Sequence, residues 1–171
     1  GGFHNAEDLM RDADNAMHRS RSSTESTITV FQSAMHQQVM RDRQLESLLR
    51  AALREAQLVA HFQPIVDLST GLTTGFEALV RWPQANTRQI GPDVFIPLAE
   101  SLGLVHDLGM QMLDQSCRCL KAWRDHGIAN DEISISVNLS ARQLTQLDLA
   151  DQIVACIERH DLPPGALKLE I

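Results

Sequence analysis

Hydrophobic and polar positions follow two different periods along the chain, and the change of period divides it into elements. Before position 58, apolar residues recur three or four positions apart, as in "RQLESLLRAALREAQ", which predicts helices. After that position, short runs such as "GFEALVRW" and "ISISVNLS" alternate with longer stretches of helical periodicity. The predicted order in this second part is β-β-α-α-β-α-β.

The first part is predicted to contain a helix, a break and a second helix. "NAEDLMRDADNAMHRS" has helical spacing, "RSSTES" is a polar loop and "TITVF" has the composition of a strand. A helix over 35–57 follows and carries a stripe of leucines on one side. We expect this helix to connect two units and to pack through its leucine stripe against a partner helix or the following domain.

The second part is predicted to begin with a hairpin, because only a short Ser-Thr-Gly segment separates its first two strands. Pro97 is interpreted as the start signal of the next helix, and Gly127 as the stop of the one after it. Helix signals continue through 140–165 and end at a Pro-Pro-Gly sequence. Strands joined by helical crossovers should run parallel, with helices outside.

Each predicted strand has one apolar face and one face with polar groups. In "ISISVNLS", the isoleucines and valine alternate with two serines and an asparagine. The polar face suits either an open sheet in water or the interior of a barrel whose site lies at the carboxyl ends of its strands. The polar rim would hold Gln63, Glu77, Arg81, Asn138 and Glu170.

The residue types on this rim favour phosphoester chemistry. Carboxylates and an amide oxygen are ligands for Mg²⁺ or Mn²⁺, whereas Arg81 presents a planar fork to a phosphate. Gln63 could contact a base edge or a phosphate. The alternative, that Glu77 and Arg81 each form a structural ion pair, stays equally open from the residues alone.

Composition narrows the choice of partners. The formal net charge of −7 argues against a general DNA or RNA binder, which needs a basic face.

The three cysteines form no CxxC pair and are interpreted as reduced core thiols in the cytoplasm. The seven histidines form no HExxH or HxH motif, and none is assigned to a metal. No apolar run reaches the roughly 20 residues that span a bilayer.

Several linked motifs resemble a known family. "FQPIVDLSTGLTTGFEALVRW", "DVFIPLAESLGLVHDLG", "ISVNLSARQL" and "LKLEI" are similar to the first half of EAL domains, over about 48–171. Upstream, "DLMRDADNAMHRSR" resembles more weakly the last helix of a GGDEF domain, without that family's active-site loop. The resemblance implies a GGDEF tail over 1–34, a connecting helix over 35–57 and the N-terminal part of an EAL domain over 58–171.

The resemblance implies an α/β fold, a (β/α)8 TIM-like barrel with an antiparallel first strand, of which this chain holds the N-terminal portion. It implies hydrolysis of cyclic di-GMP to linear pGpG with Mg²⁺ or Mn²⁺ as cofactor. Glu77 would be catalytic and would hold metal together with Asn138 and Glu170. Gln63, Leu79 and Arg81 would bind the substrate, with Arg81 on a phosphate.

Other features of the family's pattern are absent from this sequence. Its Asp-Asp pair, catalytic lysine and later glutamate and glutamine would follow Ile171. The general base therefore has no candidate here, and the 171-residue chain alone is expected to be inactive. The alternative function is a degenerate EAL domain that acts as a cyclic di-GMP receptor. A homodimer, an upstream GGDEF or sensor domain, and a cytoplasmic location with membrane anchoring elsewhere in the parent are further expectations.

Overall fold

A computed structural model describes positions 10, 14, 33–83 and 90–171 of the chain. The predicted polar loop and the "TITVF" segment lie outside the described residues, as does the first predicted helix apart from Met10 and Asp14, which are helical. The chain divides into two units, Gly1–Leu48 and Leu49–Ile171. The first predicted division, after position 34, falls inside helix α1, Ser33–Arg54, and the three predicted domains stay a prediction.

The second unit is built on a four-stranded mixed sheet. Its strands lie in the order of the sequence, with β1 antiparallel to β2 and the later pairs parallel. They are β1 Val59–Val66, β2 Thr73–Arg81, β3 Ser134–Asn138 and β4 Leu167–Glu170. The predicted hairpin, the parallel crossovers and the antiparallel first strand are all confirmed. The result is an α/β fold that forms part of a barrel.

Three helices follow the hairpin, and two of their boundaries differ from the prediction. They are α2 Pro92–Ser101, α3 Val105–Asp125 and α4 Leu149–Arg159. Pro97 lies inside α2, and Pro92 begins it, because a proline at the first helical position has no hydrogen bond to lose. The segment predicted as one helical region over 140–165 contains a 3-10 turn, Gln143–Thr145, before α4 begins.

Helix ends explain why α4 stops before the Pro-Pro-Gly sequence. At the end of α3, Gly127 has a φ of 69° and Ile128 N–H donates to Trp123 O at 2.8 Å, which closes the helix as predicted. At the end of α4, Asp161 takes the same left-handed conformation with a φ of 53°, and Leu162 N–H donates to Ile157 O. The backbone therefore leaves the helix at Asp161.

The apolar face of the sheet packs on α3. Phe62 of β1 and Phe76 of β2 both contact Trp123, with ring centroids 5.2 Å and 4.8 Å apart. Ile135 and Val137 of β3 are buried beneath the helices. The polar side chains lie on the opposite face of each strand.

Two glutamines of α3 bind the chain where it enters the sheet. Gln115 accepts from Ala60 N–H at 2.9 Å and donates to Leu58 O at 2.8 Å. Gln111 donates to Leu53 O at 2.6 Å, near the end of α1. Leu49 and Leu53 of α1 belong to the predicted leucine stripe, and both are buried in the second unit. None of the helices in the described ranges is long and apolar enough to span a bilayer.

Candidate active site

Strand register places the predicted polar residues on one face of the sheet. Gln63 of β1 lies opposite Glu77 of β2, and Asn138 of β3 lies opposite Glu170 of β4. Glu77 lies beside Ser136, two positions before Asn138 in β3. Because directly paired residues point to the same side of a sheet, these side chains share a face, away from Trp123.

Glu77 and Asn138 are in direct contact. Asn138 Nδ2 donates a hydrogen bond to Glu77 Oε1 at 2.8 Å, between residues 61 positions apart in the sequence. Glu77 is half-buried, whereas Asn138 is exposed on the open side of the sheet. The parallel pairing of β2 and β3 brings the amide at the carboxyl end of β3 to the carboxylate in the middle of β2.

Glu170 follows on the next strand. It pairs in register with Asn138, and its carbonyl accepts from Leu139 N–H at 2.7 Å, which extends the β3–β4 ladder beyond Asn138. Its carboxylate is exposed. The three predicted metal ligands therefore lie on one face of three adjacent strands, and their role as ligands stays a prediction.

Arg81 is held by the backbone rather than by a carboxylate. Its Nη1 donates to Val80 O at 2.9 Å, and Glu77 bonds to Asn138 instead. Within the part of the chain that the structure describes, Glu77 and Arg81 thus do not pair with each other. Neither residue forms an ion pair within these described residues, so the alternative in which Glu77 and Arg81 each form a structural ion pair loses its support. The remaining donors of the Arg81 guanidinium can bind an anion.

A cavity of about 240 Å³ lies at the ends of β2 and β3. Leu79, Arg81 and Asn138 reach its wall, and apolar side chains of α2 and α3, including Ile96 and Leu108, form much of the rest. Gln63, Glu77 and Glu170 are not on its wall. All six predicted site residues therefore lie on one face of the sheet, whereas three of them line this cavity.

Four residues around the loop after β3 were missed by the sequence reasoning. Ser140 Oγ donates to Glu100 Oε1, and Arg142 Nη1 donates to Glu100 O at 2.8 Å. Gln143 is only 2% exposed, and its Oε1 accepts from Ser140 N–H at 2.9 Å. These contacts fix the segment that directly follows Asn138 against the end of α2.

The position of three of these residues, directly after a predicted strand, is a sequence signal for a site. Ser140, Arg142 and Gln143 follow a predicted strand end, where site residues collect, but the helix predicted over 140–165 also covers them. The partner Glu100 precedes them by 40 positions in the case of Ser140. A contact over such a separation has no local periodicity to reveal it.

The side chains present fit a hard divalent cation. Glu77 and Glu170 supply carboxylate oxygens and Asn138 supplies an amide oxygen, the ligand types that Mg²⁺ and Mn²⁺ prefer. Half a turn of the Asn138 amide would replace Nδ2 by Oδ1 next to the Glu77 carboxylate. The donor set therefore matches the predicted cofactor in chemistry.

Taken together, the fold and these side chains define part of a (β/α) barrel with oxygen ligands on one face of three adjacent strands. The EAL domain family matches residues 46–171. The chain therefore belongs to the EAL domain family, as the sequence motifs predicted. The likeness of the upstream residues to a GGDEF domain stays a prediction.

Characterised relatives and a solved structure agree with this membership. The bifunctional diguanylate cyclase/cyclic di-GMP phosphodiesterase MucR of Pseudomonas aeruginosa is 38% identical over 96% of this chain and 24% of its own length. The cyclic di-GMP phosphodiesterase NbdA of the same organism is 33% identical over 96% of this chain and 21% of its own length.

The solved structure of the PaMucR phosphodiesterase in complex with c-di-GMP is 41% identical to this chain, with a TM-score of 0.70. The match covers 75% of this chain and 51% of that one. This chain spans about a quarter of the length of the curated relatives and half of the solved domain.

Proposed function

We propose that the intact protein containing this chain hydrolyses cyclic di-GMP to linear pGpG with Mg²⁺ or Mn²⁺. The contact that supports this function most strongly is the one between Asn138 and Glu77, which joins two metal-type ligands on adjacent strands. Membership in the EAL family and the similarity to MucR and NbdA, both named as phosphodiesterases, support the same reaction.

In this proposal Glu77, Asn138 and Glu170 hold the cation. A bound divalent cation lowers the pKa of a coordinated water and neutralises the charge that develops on the phosphate. Glu77 is half-buried, so solvent screens the attraction between its carboxylate and a cation less than it would at an exposed residue. The Ser140–Glu100 contact fixes the segment beside Asn138 and so orients its amide.

The remaining predicted residues would bind the substrate. Arg81 keeps one Nη1 hydrogen on the carbonyl of Val80, which orients its guanidinium and leaves other N–H groups for a phosphate oxygen. Leu79 lies between Glu77 and Arg81 on the same strand face and would contact the apolar surface of the ligand. Gln63, opposite Glu77 on β1, would contact a base edge or a phosphate from the neighbouring strand.

The domain organisation forms part of the same proposal. The chain would contribute the N-terminal part of an EAL barrel, joined through α1 to an upstream GGDEF or sensor unit. The buried end of the leucine stripe, at Leu49 and Leu53, supports a helix that is anchored on the EAL side. A homodimer through the exposed part of this helix remains a further expectation, supported by Leu48, which is 42% exposed.

Chromatographic analysis of the products tests the function. The intact protein, incubated with cyclic di-GMP and Mn²⁺, is expected to release pGpG and to stop when a chelator removes the cation. Tight binding of cyclic di-GMP without turnover would overturn the hydrolase and favour the receptor instead. Neither binding nor turnover would overturn both functions.

A further inference from the structure

A second group of metal-ligating side chains lies on the outer helices rather than on the sheet. Asp114 of α3, together with Cys156 and His160 at the end of α4, offers a carboxylate oxygen, a thiol sulfur and an imidazole nitrogen. These three ligand atoms all lie within 4.8 Å of one another. We call these three residues the α3–α4 cluster, and we propose that it binds a zinc ion that joins the two helices.

The spacing of the ligands on the helices suits a shared ion. Cys156 and His160 are four positions apart, so one turn of helix brings them to the same side of α4. Asp114 faces them from α3, and His160 Nε2 is 2.9 Å from Asp114 Oδ1. Tetrahedral zinc holds its ligand atoms roughly 3.3–3.8 Å apart, so an opening of about half an ångström would admit the ion.

Ligand chemistry distinguishes this cluster from the strand-end site. A sulfur and a nitrogen with one carboxylate favour Zn²⁺, whereas Mg²⁺ and Mn²⁺ prefer oxygen ligands alone. Cys117 is fully buried and follows Asp114 by three positions on α3, so a second sulfur lies on the side of that helix that carries Asp114. The fourth ligand of a tetrahedral ion can come from water.

Charge and access also fit a bound cation. Arg159 Nη1 lies 3.2 Å from Asp114 Oδ1, so the cluster already balances one positive charge against its carboxylate. When Cys156 loses its proton to solvent on binding, its thiolate and the Asp114 carboxylate together balance the two positive charges of Zn²⁺. The side chains of His160 and Asp114 are 17% and 36% exposed, which leaves a path from solvent.

The dipole of α4 adds a further favourable contribution. His160 is the C-cap of α4, and the last carbonyls of a helix carry partial negative charge. A cation held by His160 lies at this end of the helix. The hydrogen bond between His160 and Asp114 holds two of the proposed ligands together at this end of the helix.

Cobalt spectroscopy on the intact, chemically reduced protein tests the proposal. Co²⁺ is expected to produce a saturable thiolate-to-cobalt charge-transfer band at one ion per chain, and Zn²⁺ is expected to remove it. Cys156→Ser and His160→Gln should each weaken Co²⁺ binding at least about tenfold. The oxygen-only site at the strand ends has no thiolate and cannot contribute to this band.

Two matched variants serve as controls. Cys119→Ser removes the half-buried cysteine of α3, and His126→Gln removes an exposed histidine bonded to Ala122 O; both should leave the band unchanged. Absence of a saturable band, or a band that persists in both cluster variants, would overturn the proposal. If Cys156→Ser fails to fold by circular dichroism, the result for partly exposed His160→Gln decides alone.

Discussion

The two ends of the sheet use polar side chains in opposite ways. At the carboxyl end of β3, Asn138 bonds to Glu77 and Ser140 bonds to Glu100, over separations of 61 and 40 positions. At the hairpin turn, Asp67 bonds to Ser69 and Thr70, only two and three positions away. One end assembles groups from distant segments, and the other satisfies its polar groups locally.

The two ends of (β/α) barrels usually differ in the same way. Loops at the carboxyl ends of barrel strands build sites, whereas the opposite face mainly contributes stability. Long-range contacts can bring reactive groups together only after the whole sheet has formed. Local contacts form with the turn itself, so they support folding without depending on the site.

The largest expected effect concerns the end with long-range contacts. Glu77→Ala in the intact protein should lower the rate of cyclic di-GMP hydrolysis at least about 100-fold, because a proposed metal ligand is lost. Far-ultraviolet circular dichroism should remain unchanged, since Glu77 is only half-buried. Glu132→Ala, which changes an exposed glutamate before β3, is the control with normal activity. Full activity of Glu77→Ala would contradict the role of Glu77 as a metal ligand, and with it the proposed functional difference between the two ends of the sheet.

A smaller effect is expected from the anchor behind Asn138. Ser140→Ala leaves the Glu100 carboxylate without its hydroxyl donor, a loss of about 1–3 kcal/mol for a partly buried charged group. Asn138 would be held less firmly, so we expect about a tenfold lower kcat/KM together with a higher Mn²⁺ concentration for half-maximal activity.

The control for this anchor is Ser101→Ala, which removes a hydroxyl that donates to Leu98 O within α2. If both serine variants lower activity equally, or if the Mn²⁺ requirement of Ser140→Ala stays normal, Ser140 has no positioning role. The measurement is a steady-state assay over a series of Mn²⁺ concentrations for each variant.

The smallest effect is expected at the hairpin end and concerns stability in acid. Hydrogen bonds from the Ser69 hydroxyl and from the N–H groups of Thr70 and Ser69 lower the pKa of Asp67 from 3.8 to about 2. Since this pKa is lower in the folded state, the stabilisation is present above about pH 4 and is lost as the pH falls towards about 2. Hydrolysis at neutral pH should not depend on it.

Urea unfolding of the intact protein and its Asp67→Asn variant measures this contribution. The variant should unfold at lower urea concentration at neutral pH, and the two midpoints should converge near about pH 2. Glu132→Gln should change neither. A difference that grows as the pH falls would contradict the sign of the Asp67 effect.

The sheet and most of its faces could be predicted because strands have a period of two. The alternation in "ISISVNLS" separates Ile135 and Val137, which are buried, from Asn138, which is exposed on the site face. The register of Gln63 against Glu77 and of Asn138 against Glu170 then follows from strand pairing. Periodicity therefore located the candidate residues before any contact was known.

Contacts between distant segments could not be predicted in the same way. The Glu100 anchor joins a helix end to a loop, and His160 meets Asp114 across 46 positions, so neither produces a local pattern. The end of α4 was also misplaced, because Asp161 adopts a left-handed conformation that glycine usually provides. In each case tertiary packing, rather than local propensity, determines the outcome.

Anomalous diffraction from crystals of the intact protein grown with Mn²⁺ tests the central claim most directly. We predict a manganese peak in contact with the side-chain oxygens of Glu77, Asn138 and Glu170. The α3–α4 cluster, with its sulfur and nitrogen ligands, should hold no manganese at the same concentration. A manganese peak at Asp114 and His160, with none beside Glu77 and Asn138, would contradict the assignment of the metal to the strand ends.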